Sequence, residues 1–256
     1  MLIAFDIGNS SIGIGYFTPS GLLVQRLETH PLLNSGEYAR EVGRFMDLNL
    51  IEKRTLRCII CSVVESHTAA LAEAAAVIAG SAVNVSVVPD DIHGSLLVKI
   101  DDPGALGADR LANAEAAFGI RQRAVAVIDF GTATTVTVVN DHGELMGGAI
   151  MPGLGLMSSS LGTGTSRLTE VLLEPPGQAL GKDTGSCIRT GLFFGTAGAV
   201  ERIVDEIEMD TGILFSTIIT GGHSAVMQRY MNRPCERRPD LIFEGLRLMY
   251  EKNRTE

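Results

Sequence analysis

No uninterrupted apolar stretch in the 256 residues approaches the roughly 18–20 that a membrane-spanning helix needs, so a membrane protein is not expected. A basic leading segment is also missing. Asp6 interrupts the apolar Met1–Ala4 before an export signal of useful length forms, and no targeting segment is expected. Positive charge is in deficit, with 21 Lys and Arg against 30 Asp and Glu and a net charge of −9. Nucleic acid and acidic membrane surfaces are bound through basic patches, so neither is expected as the main partner. Arg237-Arg238 reads as a short solvated pair. Cysteine is scarce: Cys58, Cys61, Cys187 and Cys235 are scattered. Cys58-Ile-Ile-Cys61 has metal-like spacing, but it lies inside the apolar run Cys58–Val64 and there is no second CxxC. Strand-core packing is expected for it, and a reduced, cytoplasmic protein overall.

The hydrophobic fraction is 45%, enough for real cores. The length suits one large domain or two of roughly 100–150 residues. The most informative stretch is Ala126–Gly153, AVIDFGTATTVTVVNDHGELMGGAIMPG. It predicts an apolar strand, Ala126–Ile128, ending in Asp129, a tight Gly-Thr turn, and a β-branched strand, Thr134–Val139. An Asn-Asp-His-Gly reversal and a third run, Leu145–Ile150, follow. Backbone N–H groups of Gly131, Thr132 and Ala133, with the hydroxyls of Thr132, Thr134 and Thr135, are candidates to converge on a phosphate. Ala4–Leu23 repeats the pattern: Asp6 matches Asp129 and Gly8 matches Gly131 without a gap. Two such copies form an internal repeat, and duplicated domains facing each other across a cleft account for it better than a solenoid.

Between the repeats, helices are expected over Ser35–Leu48 and Thr68–Ala79, with buried strands over Leu56–Val64 and Val83–Val88. The order βββαβαβ suggests a mixed sheet covered by helices. A short strand Leu97–Ile100 runs into a turn, and Leu106-Gly-Ala-Asp-Arg110 opens a helix over Leu111–Phe118 with Asp109 in or near its first turn, where the dipole favours a carboxylate. After the second meander come a helix marked by Leu154, Met157 and Leu161, and a long helical region, Gly185–Asp210. In the latter, Gly191, Gly195 and Gly198 are expected to allow close helix packing. A strand, Ile213–Thr220, ends at Gly221-Gly222, which suits a nucleotide's adenosine part, and an amphipathic helix closes the chain over Pro239–Asn253.

The paired turns resemble those of the sugar kinase/actin/heat-shock ATPase superfamily, whose two turns grip ATP phosphates from both sides. Four features then fall in order: DIGNS at Asp6, GADR at Gly107, DFGTATT at Asp129 and GGAIMPG at Gly147. Thr165, Gly181-Lys-Asp-Thr184, TGG at Thr220 and DLIFEGL at Asp240 follow at fitting distances, and together they resemble the type III pantothenate kinases over nearly the whole chain. That resemblance implies an α/β fold of two duplicated ribonuclease H-like (actin-like ATPase) domains, 1–118 and 119–256, with mixed sheets flanked by helices and a cleft between. It implies ATP-dependent phosphorylation of pantothenate to 4'-phosphopantothenate, the first step of coenzyme A synthesis. Asp6, Gly8, Asn9, Ser10 and Thr132 would bind ATP, with Asp6 holding Mg²⁺ mainly through water. Asp129 would hold a monovalent cation, K⁺ or NH₄⁺. Gly107, Asp109, Arg110, Thr165 and Thr184 would bind pantothenate, with Asp109 as the base and Thr184 supplied by the partner of a homodimer.

The chemistry asks for such residues. Phosphoryl transfer has a loose transition state and is catalysed mainly by positioning and charge neutralisation. Mg²⁺ keeps most of its waters and needs only one or two carboxylates. The attacking hydroxyl can pass its proton to an aspartate within roughly 2.6–3.2 Å, and Arg110 offers a fork for the pantothenate carboxylate. One departure stands out: the family usually carries a tyrosine where this chain has Ile100, which bears on substrate affinity and choice. The alternatives are a non-catalytic dimeric nucleotide-binding regulator on the same fold, or a kinase for another small hydroxy acid.

Overall fold

The computed structural model describes residues 1–52, 56–79 and 84–253. Strands β1 (Leu2–Ile7), β2 (Ser11–Thr18) and β3 (Gly21–Glu28) form an antiparallel meander. Helix α1 (Ser35–Leu48) starts at Asn34, whose side chain accepts from the Glu37 N–H at 3.0 Å while the Glu37 carboxylate accepts from the Asn34 N–H at 2.8 Å. Strand β4 (Arg57–Ser62), helix α2 (Glu65–Ala79) and strand β5 (Asn84–Val88) complete a sheet of order β3-β2-β1-β4-β5, with β1, β4 and β5 parallel. Val83, the expected start of the last strand, lies outside the described residues.

Strand β6 (Leu97–Val98) and helix α3 (Ala108–Arg121) lead into the second meander, β7 (Val125–Phe130), β8 (Ala133–Val139) and β9 (Glu144–Pro152). Helices α4 (Leu154–Gly164) and α5 (Thr184–Thr211) follow, then β10 (Ser216–Thr220), the short helix α6 (Ser224–Met227), β11 (Cys235–Arg237) and helix α7 (Leu241–Lys252). The second sheet runs β11-β10-β7-β8-β9-β6. Apart from β6, its strand order and senses are those of the first sheet: an antiparallel meander, then two strands parallel to the first of the three. The duplication read from two Asp-x-Gly turns is thus a duplication of topology. Neither α6 nor β11 was anticipated.

The chain divides into two compact units. One comprises Met1–Ser95, Gly104–Ala116 and Ile242–Glu256; the other comprises Leu96–Pro103 and Ala117–Leu241. In the first, alternate residues Ile3, Phe5 and Ile7 of β1, Ile12, Ile14 and Tyr16 of β2, and Cys58 and Ile60 of β4 pack with Tyr38, Val42 and Met46 of α1 and Leu71 of α2. In the second, Ala126, Ile128 and Phe130 of β7 and Val136 and Val138 of β8 pack with Leu154 of α4 and with Ile188, Leu192, Phe193, Ala197, Val200 and Val204 of α5.

The exposed side of α5 differs from expectation. Among the described residues, nothing outside the helix's own backbone lies within 4 Å of where a Cβ would stand on Gly191, Gly195 or Gly198. The close packing expected of these glycines is not made within the chain.

Close packing does occur at α7, which belongs to the first unit. Phe243 lies where β2 has no side chains, at Gly13 and Gly15, on the face opposite the α1 core. Gly245 meets α3 so closely that a Cβ there would overlap the Ala112 carbonyl. Gly245→Ala must therefore force α3 and α7 apart, at a cost of about 1–3 kcal/mol. Gly155→Ala, in open space on α4, is expected to be neutral or stabilising by about 0.5–1 kcal/mol. Thermal melts of the two variants check the contrast; equal melting temperatures would show that the α3–α7 approach carries no strain.

Candidate active site

The site residues of the first unit are placed by a strand register. Strands β1 and β4 pair in parallel with Asp6 opposite Cys61. Neighbours at one register position point to the same face, here the face away from the α1 core, because Phe5 and Ile60 belong to that core. Cys58 also faces the α1 core, so Cys58 and Cys61 lie on opposite faces of the sheet and cannot share one ion. Burial pushes the Cys58 thiol up to about 12. Cys61 is 1% exposed, and burial raises its thiol well above the usual range, with Asp6 and Asp109 adding to the effect. The thiol therefore stays neutral, and both carboxylates act on it. Asp6 and Asp109, far apart in sequence, both lie within electrostatic reach of Cys61.

Asp109 comes from the first turn of α3, where the Leu111 N–H donates to the Gly107 carbonyl at 3.1 Å. Its Oδ1 accepts from the Arg110 N–H at 2.8 Å. A Cβ on Gly107 would stand 2.5 Å from that same oxygen. Glycine at this position leaves the room into which the carboxylate folds. Burial disfavours the Arg110 charge and the neighbouring Asp109 supports it. Gly107, Asp109 and Arg110 are all half-buried, while Asn9 and Ser10 of the first turn are exposed.

In the second unit, Asp129 sits inside β7 rather than at its end, paired in register with Thr135 of β8 and Thr220 of β10. The Gly131 N–H donates to the Ala133 carbonyl at 3.1 Å, so it closes its own turn instead of facing a ligand. Thr134, expected to offer a hydroxyl to phosphate, alternates with Val136 and Val138 into the core. It is 1% exposed, and its Oγ1 is buried without a hydrogen-bond partner among the described residues. Thr132 is exposed at the turn. The sequence reading missed the role of Gly221 here. With φ at +89° it turns the chain after β10, and a Cβ on it would overlap both Asp129 Oδ1 and the Phe130 backbone. The Thr-Gly-Gly signal was visible, but nothing local linked it to Asp129.

Thr165 and Thr184 occupy different settings in this unit. The Thr165 hydroxyl donates to the Leu161 carbonyl at 2.9 Å and accepts from the Leu168 N–H at 3.1 Å, closing the end of α4. Thr184 begins α5, which is capped by Asp183. It lines a cavity of about 650 Å³ walled largely by apolar side chains, among them Met157, Leu161 and Ile188. Ile100 lies beside Gly147, whose Cβ would stand 3.6 Å from Ile100 Cγ2.

The burial pattern makes a chemical prediction. Iodoacetamide at pH 8 is expected to label the buried Cys58 and Cys61 only after denaturation. Peptide mass spectrometry reads the outcome; native labelling of Cys61 at its rate in the denatured protein would contradict a closed β4.

A family model for type III pantothenate kinase matches residues 2–206. The type III pantothenate kinase of Dehalococcoides mccartyi strain 195 is 32% identical over 256 residues, covering 99% of this chain and 98% of its own. That of Moorella thermoacetica is 30% identical over 257 residues, covering 99% of this chain and 100% of its own. Among solved structures, a protein described as a Baf-family transcriptional activator from Campylobacter jejuni superposes with a TM-score of 0.60 at 18% identity, over 99% of this chain and 100% of the other. An inorganic polyphosphate/ATP-glucomannokinase from Arthrobacter sp. strain KM gives a TM-score of 0.50 at 17% identity, over 98% of each chain. These two likenesses speak to the fold, that of the actin-like ATPases and sugar kinases. With full-length relatives at this identity and a family match over most of its length, the chain belongs to the type III pantothenate kinase family.

Proposed function

We propose that the protein transfers the γ-phosphate of ATP to the 4'-hydroxyl of pantothenate, the first step of coenzyme A synthesis. The observation that carries this reading is the family match over residues 2–206, with Asp6 in register beside the buried Cys61 and Asp109 within electrostatic reach of the same thiol. In this reading Asp109 accepts the proton of the attacking hydroxyl, a task that needs reach more than unusual basicity. Arg110 pairs with the pantothenate carboxylate. Gly107 supports Asp109 by leaving its carboxylate room. Gly8, Asn9, Ser10 and Thr132 hold the ATP phosphates. Thr165 belongs to the pantothenate site together with Thr184.

Among the described residues no three His, Cys, Asp or Glu side chains cluster as a ready metal cage. The Asp6 carboxylate suits Mg²⁺ held mainly through water. Asp129, with Gly131 and Gly221 beside its carboxylate, is the residue taken to hold K⁺ or NH₄⁺. When bound, such ions neutralise phosphate charge.

The same reading makes the protein a homodimer, with Thr184 reaching the partner's substrate. Thr184, Cys187, Gly191, Phe194, Gly195 and Gly198 form one exposed stripe along α5, and its glycines have open space in front of them. Small residues at such spacing let a second helix approach closely. No helix among the described residues is long and apolar enough to cross a membrane, and we place the enzyme in the cytoplasm with small molecules as its partners. In sequence the duplicated domains are taken as 1–118 and 119–256, with α7, from the end of the second, packed into the first compact unit.

Two experiments test this. ADP release should require pantothenate and rise when potassium replaces sodium, and Asp109→Asn should lower kcat by about 10²–10⁴-fold. Wild-type turnover in Asp109→Asn would remove Asp109 as the base, and turnover of a different hydroxy acid alone would redirect the substrate assignment. Gly195→Glu should convert the dimer to monomer in light scattering without lowering the melting temperature of the monomer unit. A dimer that survives it would move the interface elsewhere.

A further inference from the structure

The first phosphate turn is held from behind by a residue outside every motif discussed so far. Thr29 follows β3 directly and is fully buried, at 0% exposure. Its hydroxyl donates to the Gly8 carbonyl at 2.7 Å, and its N–H donates to the Ser10 carbonyl at 3.4 Å. Gly8 closes the turn by donating its own N–H to the Ser11 carbonyl at 3.0 Å. A trans peptide points its C=O and N–H in opposite directions. With the Gly8 carbonyl drawn inward to Thr29, the Asn9 N–H is turned outward, as a donor toward an incoming anion must be.

The second repeat reaches the same end without a side chain. Gly153 follows β9 as Thr29 follows β3, and its N–H donates to the Thr132 carbonyl at 3.0 Å. There the turn is one residue tighter, since the Gly131 N–H reaches the Ala133 carbonyl, two residues on rather than three. A Cβ on Gly153 would overlap the carbonyl oxygens of Gly131 and Thr132. The longer first turn has room for a side chain at this position, and a hydroxyl occupies it.

We propose that Thr29 is a positioning residue for phosphoryl transfer: its hydroxyl fixes the Gly8–Ser10 turn in the orientation that receives the ATP phosphates. The inference rests on reading Asp6–Ser10 as the phosphate turn. Thr29→Val keeps the shape and removes the donor. It is expected to raise KM for ATP about tenfold, the size of one buried hydrogen bond, and to leave KM for pantothenate within about twofold of wild type. Thr29→Ser restores the hydroxyl and should restore the ATP constant.

Asp6→Asn is measured beside them. If Asp6→Asn loses ATP turnover while Thr29→Val matches wild type in KM and kcat, the positioning role is overturned. Equal losses in Thr29→Val and Thr29→Ser, with equal falls in melting temperature, overturn it too, because serine keeps the hydroxyl and a general loosening of the site would then be the cause. If Asp6→Asn keeps full ATP turnover, the phosphate-turn reading itself fails and this one with it. Should Thr29→Val not fold, Thr29→Cys carries the test with a weaker donor of similar size. A smaller rise in the ATP constant supports the role, and a wild-type constant overturns it.

Discussion

The parallel register between β1 and β4 sets everything else at the first site. A slip of one residue would turn Asp6 into the α1 core and Ile7 toward the ligand side, since successive strand residues face opposite ways. The register is held because Ile3, Phe5 and Ile7 share a core with Cys58 and Ile60, so the hydrophobic pattern of one face dictates the chemistry of the other. Cys61, opposite Asp6, then stands near both acidic groups without adding a third negative charge. An ionised neighbour there would repel both aspartates; a buried thiol does not.

The two repeats share a topology and solve the same local problem with different means. Each must hold a carboxylate at the first strand of a meander and a tight turn just beyond it. In the first unit, the turn is backed by a side chain, and a helix start supplies a further carboxylate through a glycine that yields space. In the second, backbone approaches backbone, and two glycines, Gly153 and Gly221, are required where side chains would collide. Duplication fixed the shared sheet order; the two turns diverge in what lies behind and beside each.

Much of this was legible beforehand, for reasons that particular residues show. Both meanders declared themselves through Asp-x-Gly turns between apolar or β-branched runs, and α1 through the helical spacing over Ser35–Leu48. Strand β11 has only Cys-Glu-Arg, too short and too charged to show a period, and it forms because β10 offers a parallel edge. Thr134 was misjudged although its parity with Val136 and Val138 pointed inward, because a hydroxyl beside a glycine turn attracts a functional reading. The glycines of α5 were read as helix-packing residues, and spacing alone does not say whether the facing helix is in the same chain. Gly221 and Thr29 act on turns roughly 90 and 20 residues away in sequence. Such pairings follow from strand order, which local patterns do not encode.

Helix α7 brings a last consequence. It is made after the entire second repeat, yet it covers the sheet of the first unit, where Phe243 rests on Gly13 and Gly15 and Gly245 abuts α3. During vectorial synthesis the amino-terminal sheet emerges early with one side bare, and it waits through more than a hundred residues of translation before its cover arrives. A nascent chain of this protein must therefore remain soluble with an apolar surface exposed, and a ribosome that stops short of residue 241 releases a first unit that cannot close.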